Sequence, residues 1–205
     1  SLFVAESVTL AHVLRPLTLA ARLGKQGHPV HFATSEAFRP WVEKHGLIFH
    51  PIQCQSSDQF LTRLDRAKSV VDETLLSRQI AEDLELLNRV RPSLVIGDFR
   101  LSLNISARVA ATPYLGIVNA YWCSFDPSTM PLPESPFLRA LGNPVASRIY
   151  SLVPTWIPKR VLKEQAGGIN RLRRKHHLAP YRYLTDAYVD ADWLALADIP
   201  ELFPI

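Results

Sequence analysis

The chain has 205 residues, 47% hydrophobic and 20% charged, which supplies a sizeable core and excludes a disordered chain. Its two cysteines, Cys54 and Cys123, sit in no CxxC pair and have no histidine at ligand spacing, so neither a zinc site nor a disulfide framework is expected, only buried or partly buried thiols. The formal net charge of +4 is uneven, since residues 159–182 carry eight Lys or Arg against one Glu and leave the remainder slightly acidic. No apolar run approaches a membrane span and no signal-peptide pattern opens the chain, so a cytoplasmic location is expected. Ser1 leads directly into a strand and Ile205 follows no helix cap or polar tail, from which a domain cut from something longer is expected.

Residues 2–5 read as a buried strand, residues 7–11 as a turn and residues 13–26 as a helix whose apolar face is Leu14, Leu17, Ala21 and Leu23. Pro16 is placed in a first turn that has no amide bond to lose, and Gly24 and Gly27 close the helix. A second strand at residues 30–33, a short helix at 38–44 and a third strand at 47–49 follow. Residues 58–88 read as one long helix ended by Pro92, then come a strand at 94–96, a helix at 103–111 and a fifth strand at 114–118. Between residues 119 and 158 seven prolines interrupt an aromatic-rich stretch, read as a long loop or short helices over the strand ends. A helix at 162–178, interrupted by Gly167-Gly168, and a last strand at 193–197 complete the chain. Strands alternating with helices imply a doubly wound α/β fold, a parallel sheet with right-handed crossovers. With the first strand central, the first and fourth strands are neighbours whose loops diverge, and a ligand crevice opens there.

His12 follows the first strand and Asp98 the fourth, so the two side chains are expected to meet at that crevice. An imidazole oriented by a carboxylate there suits a general base acting on a hydroxyl, although a lone histidine capping a helix is the plain structural alternative. His28, His31, His45, His50, His176 and His177 have no convincing partner and are read as structural. Tyr121, Trp122 and Phe125 follow the fifth strand, where they either wall an acceptor pocket or fill the core. The divergent loops at residues 54–60, with Phe60, and at 121–137 are expected to choose the ligand. No glycine-rich turn follows the first strand, no P-loop is present and no GxSxG occurs, which argues against dinucleotide, nucleotide-triphosphate and α/β-hydrolase sites. The sequon at Asn104 falls in a helix and is discounted. Arg171, Arg173, Arg174 and Lys175 read as a solvated face or, with Ile149, Leu152, Val153, Trp156 and Ile157, as a peripheral contact for anionic lipid. No helix-turn-helix, RNP or zinc pattern accompanies them, so nucleic acid is not an expected partner.

Residues 2–5 with the run from Ala11-His12-Val13 to Leu23 resemble an opening strand followed by GHxxPxxxLAxxL. Gly27-His28-Pro29-Val30-His31-Phe32-Ala33-Thr34 resembles GHxVxFAT, Pro92 to Asp98 resembles PDLVIxD, and residues 194–202 resemble the end of the same domain. Together they are similar to the amino-terminal, acceptor-binding half of the GT-B glycosyltransferase family that includes plant secondary-metabolite and bacterial macrolide enzymes. The resemblance covers nearly the whole chain and implies a single Rossmann-like acceptor-binding domain over residues 1–205. It further implies an inverting glycosyltransferase of the hexosyltransferase type, with His12 deprotonating the acceptor hydroxyl, Asp98 orienting His12, and a nucleotide sugar as co-substrate rather than a bound cofactor or metal. The acceptor would be a small molecule or lipid. The family's second half, which carries the nucleotide-sugar signature, has no counterpart in this sequence, so this segment alone is expected to bind acceptor and transfer nothing. Ala11 replaces the family's glycine and is expected to tighten the turn. A non-catalytic module that kept the crevice and serves a partner is the alternative reading.

Overall fold

Short apolar strands alternating with amphipathic helices assemble into one six-stranded, fully parallel sheet in the order β3-β2-β1-β4-β5-β6. The computed structural model describes residues 1–65, 69, 72–123, 156–199 and 201. The strands are β1 Leu2–Ala5, β2 His31–Thr34, β3 Ile48–Pro51, β4 Val95–Asp98, β5 Tyr114–Val118 and β6 Trp193–Leu196. The helices are α1 Leu10–Lys25, α2 Arg39–Lys44, α3 Ser57–Asp65, α4 Glu73–Val90, α5 Leu103–Val109, α6 Trp156–Gln165 and α7 Gly167–Lys175. Three 3-10 turns, Glu36–Phe38, Ala120–Trp122 and Leu184–Tyr188, complete the described elements.

The two-residue period of a strand divides the core. Phe3 and Ala5 face α1 and α2 through Val13, Leu17, Ala20 and Val42, whereas Leu2 and Val4 face α4 and α5 through Leu86, Leu87, Leu103 and Ala107. A third cluster joins α4 and α5 to α6 and α7 through Leu76, Ile80, Ile105, Leu162 and Ile169. The doubly wound α/β reading therefore holds, with β1 and β4 adjacent and Ala5 opposite Asp98.

Boundaries differ where local chemistry overrides periodicity. The long helix read over residues 58–88 is two helices. Asp72 caps the second, its side chain accepting from the Leu75 amide at 3.0 Å, and Arg91 ends it in the left-handed region at φ 47° just before Pro92. The helix read over 162–178 begins earlier, at Trp156, and divides at Ala166 beside the glycine pair. Because α1 starts at Leu10, Pro16 lies in its second turn rather than its first, and the amide that would bond the His12 carbonyl is missing. Ala11 is an exposed helical residue, so its methyl group meets solvent and tightens no turn. Most of the aromatic, proline-rich stretch, residues 124–155, lies outside the described residues. Among the described residues no helix is long and apolar enough to cross a membrane.

Candidate active site

The carboxyl ends of β1 and β4 meet side by side, and the Glu6 amide bonds the Asp98 carbonyl at 3.1 Å. Asp98 is the last residue of β4, with a side chain 1% exposed, and His12 lies in the first turn of α1. His12 Nδ1 stands 2.7 Å from Asp98 Oδ1. A carboxylate only accepts, so Nδ1 carries the proton and donates it to Asp98, which leaves Nε2 with the free lone pair. The sequence brought these two residues together correctly.

Arg15 was not anticipated. Its Nε donates to Asp98 Oδ2 at 3.1 Å, its Nη2 to Asp98 Oδ1 at 2.9 Å and its Nη1 to Asn119 Oδ1 at 2.5 Å. Nη2 also lies 2.8 Å from His12 Nδ1, a close approach of two donors rather than a hydrogen bond, since Nδ1 gives its proton to Asp98. The dyad is thus a triad of imidazole, carboxylate and guanidinium, and three donors satisfy a carboxylate that water barely reaches. One signal was available: GHxxP sets two residues between histidine and proline, here three intervene, and Arg15 stands where the motif has proline.

Beside His12 a pocket of about 280 Å³ opens between the strand ends. The Phe99 ring stacks on His12 with centroids 4.8 Å apart and on Tyr188 at 5.6 Å, and Phe60 meets Phe99 edge-on at 5.7 Å. Trp122 closes against Tyr188 at 4.5 Å. Of the expected acceptor wall, Phe60 and Trp122 line the pocket; Phe125 and the Tyr121 side chain lie outside the described residues. Phe99 and Tyr188 were missed. Phe99 adopts φ 56°, a left-handed conformation that turns its ring back over α1.

Behind the pocket lies a buried charge network that sequence reading also missed. The Arg100 side chain is fully buried and donates to Glu6 Oε2 at 3.0 Å, Asp83 Oδ1 at 2.8 Å, Glu82 Oε2 at 3.2 Å and the Gln53 carbonyl at 2.7 Å. Gln79 and the Gln55 amide complete Glu6, and Ser102 and Ser106 complete Asp83. Burial raises the Glu6 carboxyl against the opposing pull of Arg100. The network ties β1, the loop after β3, α4 and the loop after β4, and so braces Asp98 and Phe99.

Other expected residues fall elsewhere. His31 does have a partner, His50, with Nδ1 and Nε2 2.8 Å apart at the start of β2; burial, the chain's first amino group for His31 and the neighbouring ring and Arg89 for His50 hold both below the usual histidine range. Asn104 is buried, its amide donating to the Ala187 carbonyl, which agrees with discounting the sequon. The basic face is smaller than its sequence suggests. Arg173 is buried among Asp190, Tyr181 and backbone carbonyls, and Arg171, though exposed, pairs with Glu73 of α4; Arg174 and Lys175 are exposed beside it. Cys54 is half-buried as expected, but Cys123 is exposed. Among the described residues no group of His, Cys, Asp or Glu is placed to hold a metal.

Residues 9–98 match the family model described as the Glycosyltransferase family 28 N-terminal domain. Over 204 residues, 99% of this chain, the sequence is 37% identical to a PGL/p-HBAD biosynthesis glycosyltransferase of Mycobacterium tuberculosis, 47% of which is covered. Identity is again 37% over 99% of this chain to a Mycobacterium bovis protein named as an inactive PGL/p-HBAD biosynthesis glycosyltransferase, 55% of which is covered. The chain spans about half the length of the curated relatives it matches. The crystal structure of a Streptomyces sp. SF2575 glycosyltransferase superposes with a TM-score of 0.59 at 18% identity, over 99% of this chain and 51% of that one, a likeness of fold.

Proposed function

Because this chain belongs with the GT-B glycosyltransferases and corresponds to their amino-terminal half, we propose that it is the acceptor-binding domain of an inverting glycosyltransferase with His12 as general base. The observation that carries the reading is the His12–Asp98 contact at the mouth of an aromatic pocket. An acceptor with an aromatic or other flat apolar body packs against Phe99, Tyr188 and Trp122, and its hydroxyl reaches Nε2. That nitrogen takes the hydroxyl proton as the acceptor oxygen forms a bond to the anomeric carbon of a nucleotide sugar. The bond from that carbon to the nucleotide diphosphate breaks, the leaving group departs with its electron pair, and the anomeric configuration inverts. Asp98 stabilises the imidazolium, and Arg15 holds Asp98 in place and balances its charge. The nucleotide sugar is assigned mainly to a carboxyl-terminal partner domain.

The alternative is a non-catalytic module that retains the crevice, and the relative named as inactive keeps it in view. Overall similarity does not separate the two, since identity to the relative not so named is the same. A single substitution does. In the full-length protein, His12→Ala is expected to lower kcat for transfer to a hydroxyl acceptor by about 10²- to 10⁴-fold while leaving acceptor binding nearly unchanged. Product anomers read by NMR report inversion, and near-normal transfer by the variant refutes the assignment.

A further inference from the structure

The turn Ala120–Trp122, which carries Trp122 to the pocket, does not use its own cap. Asn119 stands at the N-cap position with extended torsions, φ −81° and ψ 139°, where an asparagine side chain normally accepts from an amide of the first turn. That bond does not form. Asn119 Oδ1 accepts instead from Arg15 Nη1, and the other nitrogens of the same guanidinium hold Asp98. The Trp122 amide bonds the Asn119 carbonyl at 3.0 Å, and the first amide of the turn, that of Ala120, donates to Asp198 Oδ2.

Asp198 reaches this amide because β5 and β6 run parallel and end together. Val118 pairs with Leu196, and the Ala197 amide bonds the Val118 carbonyl at 2.9 Å as the last rung between the two strands. Beyond that rung the backbone after β5 coils into the 3-10 turn, and a carboxylate takes the place of the next backbone acceptor. Such a bond is charge-assisted and stronger than the amide-to-carbonyl rung it replaces. In the strand order β1-β4-β5-β6, Arg15 approaches the end of β5 from the side of β1 and β4, whereas Asp198 approaches from β6. The turn is therefore clamped from both sides, by the base's own arginine and by the residue after the last strand.

Resting on the acceptor reading above, we infer that Asp198 is a positioning residue for the acceptor wall. It fixes the turn so that the Trp122 ring stands against Tyr188 with centroids 4.5 Å apart, while Asn119 serves the base rather than its own turn. Asp198 is not part of the pocket lining, so it acts on the acceptor through Trp122.

Isothermal titration of the full-length protein with 4-nitrophenol, a small aromatic hydroxyl compound, tests this. Asp198→Ala is expected to weaken binding roughly tenfold, the equivalent of one hydrogen bond to a charged group. Asp198→Asn, whose side-chain oxygen still accepts from the Ala120 amide, should restore most of the loss. In a double-mutant cycle Asp198→Ala should add nothing to Trp122→Ala, because the ring it positions is gone. The proton between His12 Nδ1 and Asp98 should keep its place in the NMR spectrum of both Asp198 variants, since Arg15 and Asn119 are untouched. Unchanged binding in Asp198→Ala, no recovery in Asp198→Asn, additive effects in the cycle, or a displaced His12 proton each overturn the positioning role and leave the acceptor reading standing. Wild-type protein that does not bind the phenol, or binding that ignores Trp122→Ala, takes down the acceptor wall and this inference with it.

Discussion

Arg100→Met replaces a buried cation by an apolar side chain of similar length, and the surroundings set the size of the effect. Glu6 and Asp83, whose side chains are 5% and 1% exposed, lose their shared counter-charge, and the Gln53 carbonyl loses its donor. Removing one partner from a buried ionic network costs about 3–5 kcal/mol, a large share of the roughly 5–15 kcal/mol that holds a domain folded. With a urea slope of about 2 kcal/mol per molar, the unfolding midpoint should fall by roughly 2 M. The loss should also depend on pH. The folded-state value of Glu6 already lies above its ordinary 4.5, so its contribution is full below that value and declines as pH rises through the folded one. Without Arg100 the largest influence lowering it disappears, the folded value moves higher, and the native state is penalised further once Glu6 ionises. Urea melts of wild type and variant at about pH 5.5 and about pH 7.5 should therefore show the larger difference at the higher pH. A loss below about 1 kcal/mol, or one identical at both pH values, would refute the claim that Arg100 is the counter-charge of a dry carboxylate cluster.

Phe99→Ala and Phe99→Gly both remove the ring stacked on His12 and should weaken acceptor binding alike. At φ 56°, however, glycine relieves strain that alanine keeps, so Phe99→Gly should be the more stable of the pair by about 1 kcal/mol in thermal or urea unfolding. Gly97 permits close packing in β4: a Cβ there would stand 2.6 Å from Leu103 Cδ1 and 3.0 Å from the Tyr114 ring. Gly97→Ala should cost about 1–3 kcal/mol and, by shifting the strand end, reduce transfer; an unchanged melt contradicts the geometry. Burial and the neighbouring Glu6 push the Cys54 thiol up to about 12, so iodoacetamide near neutral pH should modify exposed Cys123 and spare Cys54 until the protein unfolds, as peptide mass mapping would show. Rapid labelling of native Cys54 counts against its placement.

How much was legible follows from the range of each signal. The α/β order, the five principal strands within a residue or two, and the adjacency of the first and fourth strands were readable because hydrophobic period and strand spacing are local properties. From that adjacency alone His12 and Asp98 could be paired. Helix boundaries were less legible, since Asp72 as a cap and Arg91 as a left-handed stop act through single hydrogen bonds and torsions that a periodic pattern averages away. Arg171 and Arg173 looked like neighbours on a charged face, yet one reaches Glu73 and the other is buried against Asp190.

By itself, then, the amino-acid order determined which segments become strands, which faces they bury and where a base and an acid emerge from the sheet, because those depend on side chains two to four residues apart. Tertiary structure alone decided that Arg15 shares Asp98 with His12, that Tyr188 arrives from far along the chain to stack on Phe99, and that Arg100 is buried behind both. Such contacts join residues between 3 and 94 positions apart through distance and direction, and only a folded backbone specifies these.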